Sequence, residues 1–323
     1  MKSVITVDCG TTNTRVAFVE DGKAKDTIKL PVGAGTTAVT GSTHALIDAI
    51  KAGVESLKVK NGFEFSELGG IFASGMITSE LGLCDIPHIC NPAGCEELKN
   101  AAKTVLFEEI APIPITFIPG VRNNFSKYSI SDIDFADMMR GEETELFGLM
   151  ELTDIKPPFT AILPGTHNKI IKVDDIGRIE KCYTAVSGEL LAAISQNTIL
   201  KNSLPSPLIS DEPNLDYVDM GFKLAKEIGV NAALFKVRIL SNFYNCTDDE
   251  KGSFFVGAVL CSDIELIAKT AEEDSILIGG SKPLRSVFEH LAENNLKNPI
   301  VHVTDKQVAL STVSGALRIM NVK

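Results

Sequence analysis

The sequence predicts an α/β protein of two related domains, and three observations carry that prediction. A strand, a glycine turn and a second strand open the chain over Val4–Val19, and the same pattern recurs over Ala161–Val173. Later, a short apolar strand runs into Gly279-Gly280 just ahead of a helix. A length of 323 residues is enough for two hydrophobic cores. With 44% hydrophobic and 23% charged residues the composition is that of a soluble globular protein. A net charge of −11 disfavours nucleic acid and anionic membrane as partners. No apolar run reaches the length of a membrane span and no signal peptide is expected. Seven cysteines without a CxxC pair read as reduced thiols, so a cytoplasmic location is expected.

In the first hairpin, Ile5 and Val7 alternate with Thr6 and Asp8; Gly10-Thr11-Thr12-Asn13 then turns, and apolar residues resume to Val19. Glycine here opens a second strand rather than a helix, which separates the motif from the dinucleotide and Walker loops. A tight turn rich in N–H groups and hydroxyls suits phosphate oxygens, and an Asp at the strand end suits Mg²⁺ and its waters. An ordinary hairpin turn is the alternative. Asp21-Gly22 marks the far turn and a third strand follows around Thr27–Leu30. Gly33–Thr37 reads as a flexible loop, Ser42–Leu57 as a helix, and Leu68–Ala73 as a buried strand ending in Ser74-Gly75-Met76. Cys84, His88, Cys90 and Cys95 lie close together in a spacing that matches no zinc pattern. Asn91-Pro92 reads instead as an N-cap and N1 proline for a helix Glu96–Phe107. A strand Ile115–Ile118 leads into Gly120–Asn124, and Ile130–Met150 has helical spacing around Arg140-Gly141-Glu142-Glu143.

The expected domain boundary lies near or slightly before Pro157-Pro158 and is set at 138/139. The expected domains are 1–138, 139–308, and a C-terminal helix, 309–323, packing back on the first domain. In the second half, an offset of 155 residues places Gly165 on Gly10, Thr166 on Thr11, Asn168 on Asn13 and Gly177 on Gly22. Two turns that match in this way read as an internal duplication. A helix Ser187–Leu200, a Pro/Ser-rich loop (Ser203–Ser210) and helices around Tyr217–Ile228 and Phe254–Ala271 follow. Ser275–Ser281 is a strand entering Gly-Gly, where a nucleoside would be able to approach the backbone. Helix Pro283–Asn294, strand Ile300–Val303 and helix Gln307–Met320 complete the chain.

Together these parts read as an ATP site. Phosphoryl transfer needs positioning, charge neutralisation and a base for the attacking hydroxyl. Asp8 is the candidate Mg²⁺ ligand. Gly10, Thr11, Thr12, Asn13, Gly165, Thr166 and His167 are candidates for phosphate, with Lys169 supplying charge and Gly279, Gly280 and Ser281 facing the nucleoside. For the base, Glu142 or Glu143 is the candidate. Adjacent helical residues point about 100° apart, so one of the two faces the site; decoration of a helix surface is the alternative for both.

Gly141-Glu142-Glu143-Thr144-Glu145-Leu146-Phe147-Gly148, Leu163-Pro164-Gly165-Thr166-His167-Asn168-Lys169 and Ser187-Gly188-Glu189-Leu190 resemble the 2-keto-3-deoxygalactonokinases of the sugar kinase/hsp70/actin superfamily. The resemblance implies two actin-like (ribonuclease H-like) domains, each a mixed five-stranded sheet flanked by helices, with ATP in the cleft between them. It further implies transfer of the γ-phosphate to the 6-hydroxyl of 2-keto-3-deoxygalactonate. In the similar glycerol and xylulose kinases an Asp after the glycine is the catalytic base, and Glu142 holds that position here. Cys9 stands where members often carry an aromatic, and the chain has no Trp.

A sugar acid brings a carboxylate, whose two oxygens match a guanidinium. Arg15, Arg122 and Arg140 are the candidates, with Ser74, Gly75 and Met76 beside the sugar hydroxyls. A homodimer is also among the expectations. The alternatives are another actin-like ATPase, a carbohydrate kinase with a different small substrate, and a non-catalytic sugar sensor.

Overall fold

Strand β1 (Val4–Cys9) is covered on both faces: Val4, Ile5, Val7 and Cys9 are each at most 2% exposed, and Thr6 is buried beside them. The computed structural model describes residues 3–125 and 130–322. They divide into two compact units, one of residues 1–156, 174–182 and 306–323, the other of 157–173 and 183–305. The first unit thus retains residues 139–156, which the sequence division had counted with the second.

In the first unit β1, β2 (Thr14–Glu20) and β3 (Lys23–Leu30) form an antiparallel meander. Its far turn has positive φ at both Asp21 and Gly22, the backbone that a two-residue hairpin requires. Helices α1 (Ala34–Thr40) and α2 (His44–Asn61) lead to β4 (Ile71–Gly75), parallel to β1. Then come β5 (Ile89–Cys90), α3 (Cys95–Ala101), β6 (Lys103–Val105), β7 (Ile115–Phe117), β8 (Val121–Arg122), β9 (Met138–Met139) and α4 (Glu142–Thr153). The main sheet has the order β3-β2-β1-β4-β7-β6, and β5-β8-β9 form a small second sheet. Leu46, Ile50, Val54 and Leu57, one stripe of α2, close the core over it.

The second unit is built from β10 (Phe159–Leu163), β11 (Asn168–Val173) and β12 (Ile179–Ala185), whose first residues are counted with unit one. It continues with α5 (Ser187–Asn197), α6 (Leu215–Ile228), α7 (Val230–Phe243), α8 (Asp248–Thr270), β13 (Ser275–Ile278), α9 (Leu284–Asn295) and β14 (Ile300–His302). The sheet order, β12-β11-β10-β13-β14, repeats β3-β2-β1-β4-β7, including the parallel pairing of its last three strands. The final helix, α10 (Asp305–Met320), lies almost wholly in unit one. It crosses α4 at close range: a Cβ on Gly148 would lie 1.7 Å from the Ser311 carbonyl oxygen, and one on Gly315 1.8 Å from that of Thr144.

Several elements differ from the sequence expectation. The Gly33–Thr37 loop is ordered, with α1 starting at Ala34 and its amides bonded to the first turn. Asn91-Pro92 is a cis peptide and not an N-cap. Helix α3 starts instead after Gly94, whose N–H donates to Glu97 at 2.8 Å, and it stops at Ala101 because Lys103–Val105 pair with β7. Of Ile130–Met150 only the part from Glu142 is α-helical; Met138–Met139 pair with β8, and Gly141 has φ +115°, which an α-helix cannot continue through. Helix α7 was not foreseen, and α8 begins at Asp248 behind a Thr247/Glu250 capping box.

Candidate active site

In the first unit, β1 delivers Asp8 to the mouth of the Gly10–Asn13 turn, which is closed by a 2.9 Å bond from the Gly10 N–H to the Asn13 carbonyl. Asp8 lies across from Arg15 on β2 and from Ser74 on β4. Arg15 Nη1 stands 3.2 Å from Asp8 Oδ2, with the Arg15 side chain 53% exposed, so the pair is a weak, solvent-screened one. Burial raises the Asp8 pKa above its ordinary value, Arg15 opposes this, and the charge of Glu142 adds to it.

Glycine contacts bring these groups together. Gly75, at φ +86°, lies so close to β1 that a Cβ would stand 2.4 Å from the Cys9 carbonyl oxygen. Gly141 in turn packs on Gly75, where a Cβ would be 3.1 Å from its Cα. Glu142, the first residue of α4, is partly exposed and accepts a 2.9 Å bond from the Arg140 N–H. Glu143 is wholly buried and folds back, its two oxygens 2.8 and 2.9 Å from the Gly141 N. Burial, with Glu142 adding, pushes its pKa up to about 8. Thus Glu142, not Glu143, is the carboxylate with access to solvent.

The three arginines are used differently. Arg140 Nη1 donates to the Thr78 carbonyl and hydroxyl oxygens at 2.5 and 2.8 Å, and Nη2 donates to the Ile86 carbonyl at 3.1 Å, beside His88 Nδ1. Arg122 Nη1 donates to the Asn123 carbonyl at 3.2 Å, its guanidinium lying 5.0 Å from the Phe125 ring centroid. Only Arg15 projects well into solvent. Ser74 is buried at the end of β4, and Met76 begins the short 3₁₀ turn that Arg140 holds.

In the second unit the Gly165 turn is closed by a side chain, with the Gly165 N–H donating to Asn168 Oδ1 at 3.0 Å. His167 Nε2 stands 3.1 Å from Glu189 Oε1, both side chains exposed. Lys169 is 5% exposed and its ammonium donates to Thr184 Oγ1 at 2.6 Å. The Gly279 N–H donates to the Ile162 carbonyl at 2.8 Å, and Arg285 Nη1 holds the Gly280 carbonyl at 3.1 Å, close to Ser281. A cavity of about 930 Å³ starts at Gly165, Thr166 and Gly188. It runs between α5, the Leu204–Ile209 loop, Val256 and Pro283-Leu284, so it offers an apolar lining at one end of a phosphate-sized turn.

The 155-residue offset reaches further than the turns. Gly33 packs on the first turn, where a Cβ would be 2.5 Å from the Gly10 carbonyl oxygen; Gly188, its counterpart, would place one 2.2 Å from that of Gly165. The Gly35 N–H donates to the Thr11 carbonyl at 2.7 Å and the Glu189 N–H to that of Thr166 at 3.0 Å. In both halves, then, the helix after the third strand occupies the turn's carbonyls. Gly33 and Gly188 were both legible at that offset and were missed, as was Asp263, whose bonds to Asn168 and Ser187 no sequence spacing announces.

A family model described as 2-keto-3-deoxy-galactonokinase matches residues 8–314. The chain belongs to the 2-keto-3-deoxy-galactonokinase family. It is an ATP-dependent sugar-acid kinase. Sequence comparison with curated proteins gives no match. Among solved structures the kinase is similar to a Sinorhizobium meliloti protein assigned as a 2-dehydro-3-deoxygalactonokinase, at TM-score 0.76 and 22% identity over 99% of this chain and 98% of that one. It is similar in fold to (R)-2-hydroxyglutaryl-CoA dehydratase component A of Acidaminococcus fermentans, at TM-score 0.54 and 13% identity over 99% and 96% of the two chains. Ligand-bound xylulose kinase of Lactobacillus acidophilus follows at TM-score 0.50 and 13% identity over 100% and 90%. These likenesses carry the actin-like kinase fold. Among the described residues no helix is long and apolar enough to cross a membrane.

Proposed function

We propose that this kinase phosphorylates the 6-hydroxyl of 2-keto-3-deoxygalactonate, with Glu142 as the base. The observation that carries the assignment of the base is the different fate of two adjacent carboxylates. Glu143 is buried against the Gly141 N–H, while Glu142 stays accessible and close enough to Asp8 to perturb it. Glu142 accepts the hydroxyl proton as the oxygen attacks, which requires it within hydrogen-bond reach of that hydroxyl. ATP supplies the phosphoryl group and ADP is the leaving group. The N–H and hydroxyl groups of Gly10, Thr11, Thr12 and Asn13, and of Gly165, Thr166 and His167, are the phosphate ligands. The cavity beside Gly165, bounded on one side by Pro283-Leu284, is the nucleoside site, and its size falls within the range of small-ligand pockets.

For Mg²⁺ the donor set fits, because that ion is held through one or two carboxylates, waters and phosphates, and Asp8 offers a single carboxylate at a polar turn. Lys169 adds positive potential from within β11. Arg15 and Arg122 hold the substrate carboxylate. Arg140, whose donors are engaged by Thr78 and Ile86, sets the backbone on which Ser74, Gly75 and Met76 meet the sugar hydroxyls. A cytoplasmic location and a homodimer belong to the same proposal.

The test is a coupled ADP-release assay over a panel of 2-keto-3-deoxy aldonates, with phosphorus–proton NMR on the product. The expected result is preferred turnover of the galactonate derivative with phosphorus coupled to the C6 protons. Phosphorylation at another carbon, or preference for a neutral sugar, would overturn the substrate assignment.

A further inference from the structure

Asp263 lies in the middle of α8, 2% exposed, among Leu260, Ile264 and Ile267 of the second unit's core. An ionised carboxyl there loses hydration, and burial raises its pKa. Such a group is tolerated when both oxygens are satisfied. Here they are, by two short bonds: Asn168 Nδ2 donates to Oδ2 and Ser187 Oγ to Oδ1, each at 2.6 Å. Both partners continue to the same place. Because the Asn168 amide gives its N–H to Asp263, its oxygen faces the other way and accepts from the Gly165 N–H. Ser187 opens α5, whose next two residues buttress the turn: Gly188 packs on the Gly165 and Thr166 carbonyls, and the Glu189 N–H donates to that of Thr166.

We infer that Asp263 is a positioning residue for nucleotide binding, fixing the Gly165–Asn168 turn through Asn168 on one side and Ser187 on the other. The first turn needs no such relay, since the Gly10 N–H is taken by the Asn13 backbone carbonyl. The second turn has exchanged that backbone bond for a side chain, and a side-chain amide keeps its orientation only if something holds its far end. Asp263 is that hold. The inference rests on the reading that the Gly165–Asn168 turn meets ATP phosphates.

The experiment measures ADP affinity by calorimetry and KM for each substrate in Asp263→Ala, Asp263→Asn, Asn168→Ala and Thr166→Val, with circular dichroism to establish folding. In Asp263→Ala, ADP binding weakens about tenfold or more, the scale of a lost charge-assisted bond, and KM for ATP rises with it. KM for the sugar acid stays within about twofold. Asp263→Asn recovers most of the loss, because an amide oxygen still accepts from Asn168 and an amide N–H still meets the Ser187 hydroxyl. A folded Asp263→Ala protein with unchanged ADP affinity, or with both KM values raised alike, overturns the inference. If Asp263→Ala does not fold, Asn168→Ala decides: it shows the same nucleotide-selective loss, and unchanged ADP affinity there overturns the inference. Thr166→Val separates the two claims. If it leaves ADP affinity intact, the phosphate reading of the turn fails; if it weakens binding while the Asp263 and Asn168 variants do not, only the positioning role fails.

Discussion

Glu142 and Glu143 are neighbours with opposite surroundings, and the difference has a measurable consequence. Burial pushes the Glu143 pKa up to about 8 from the ordinary carboxylate value near 4.5, because it opposes the charged form. A raised acid pKa means that the folded state holds a proton that the unfolded state has released. Its stabilising contribution is complete below about pH 4.5 and is lost as pH rises through 8. The melting temperature of the wild type should therefore fall relative to Glu143→Gln between those limits; parallel curves would contradict the burial argument. The first hairpin with Asp8 at its strand end was legible in the sequence because strand alternation and a glycine turn are local signals, whereas the Gly141-Glu142 pair was singled out by the family resemblance. Glu142 was preferred over Glu143 for its place directly after Gly141 and through the family resemblance; the burial of Glu143 was not legible, since a turn of about 100° along a helix says that the two diverge and not which one is covered. The arginines were legible as charges only. That Arg140 is engaged by the Thr78 and Ile86 carbonyls depends on contacts 62 and 54 residues away.

At the scale of elements, α4 carries Glu142 and is held by α10 through reciprocal glycine contacts, Gly148 on Ser311 and Gly315 on Thr144. Neither glycine has space for a methyl group beside the opposing backbone. Gly148→Ala and Gly315→Ala should each destabilise the protein by about 1–3 kcal/mol through overpacking, a fall of several degrees in Tm. Since α4 would shift with its partner, kcat should fall as well. Thermal melts that match the wild type would show that the helices can separate without cost. The hairpins were readable because glycine turns and strand alternation are local signals. The helical reading of Ile130–Met150 failed N-terminal to Glu142 because Met138–Met139 pair with β8 and Gly141 breaks the helix. Helix α7 follows α6 directly across Gly229, at φ +85°, and only the exact position of that glycine marks the junction.

At the scale of the molecule, a single sheet plan appears twice: the strand order is the same in both halves, and the glycine turn and the glycine that buttresses it recur at the 155-residue offset. The repeat was visible in four matched residues, and Gly33 and Gly188 also match at that offset; what they do there, packing on the carbonyls of the two turns, shows only in the fold. The discontinuous first unit, which takes in 174–182 and 306–323, was likewise out of reach of local patterns. The proposed base is tested most directly by a rapid-quench measurement of phosphoryl transfer in Glu142→Gln, together with the ADP dissociation constant of the same protein. The account predicts a transfer rate lower by about a hundredfold or more, the scale of a lost general base, with ADP affinity within about twofold of wild type. Transfer at the wild-type rate would contradict it.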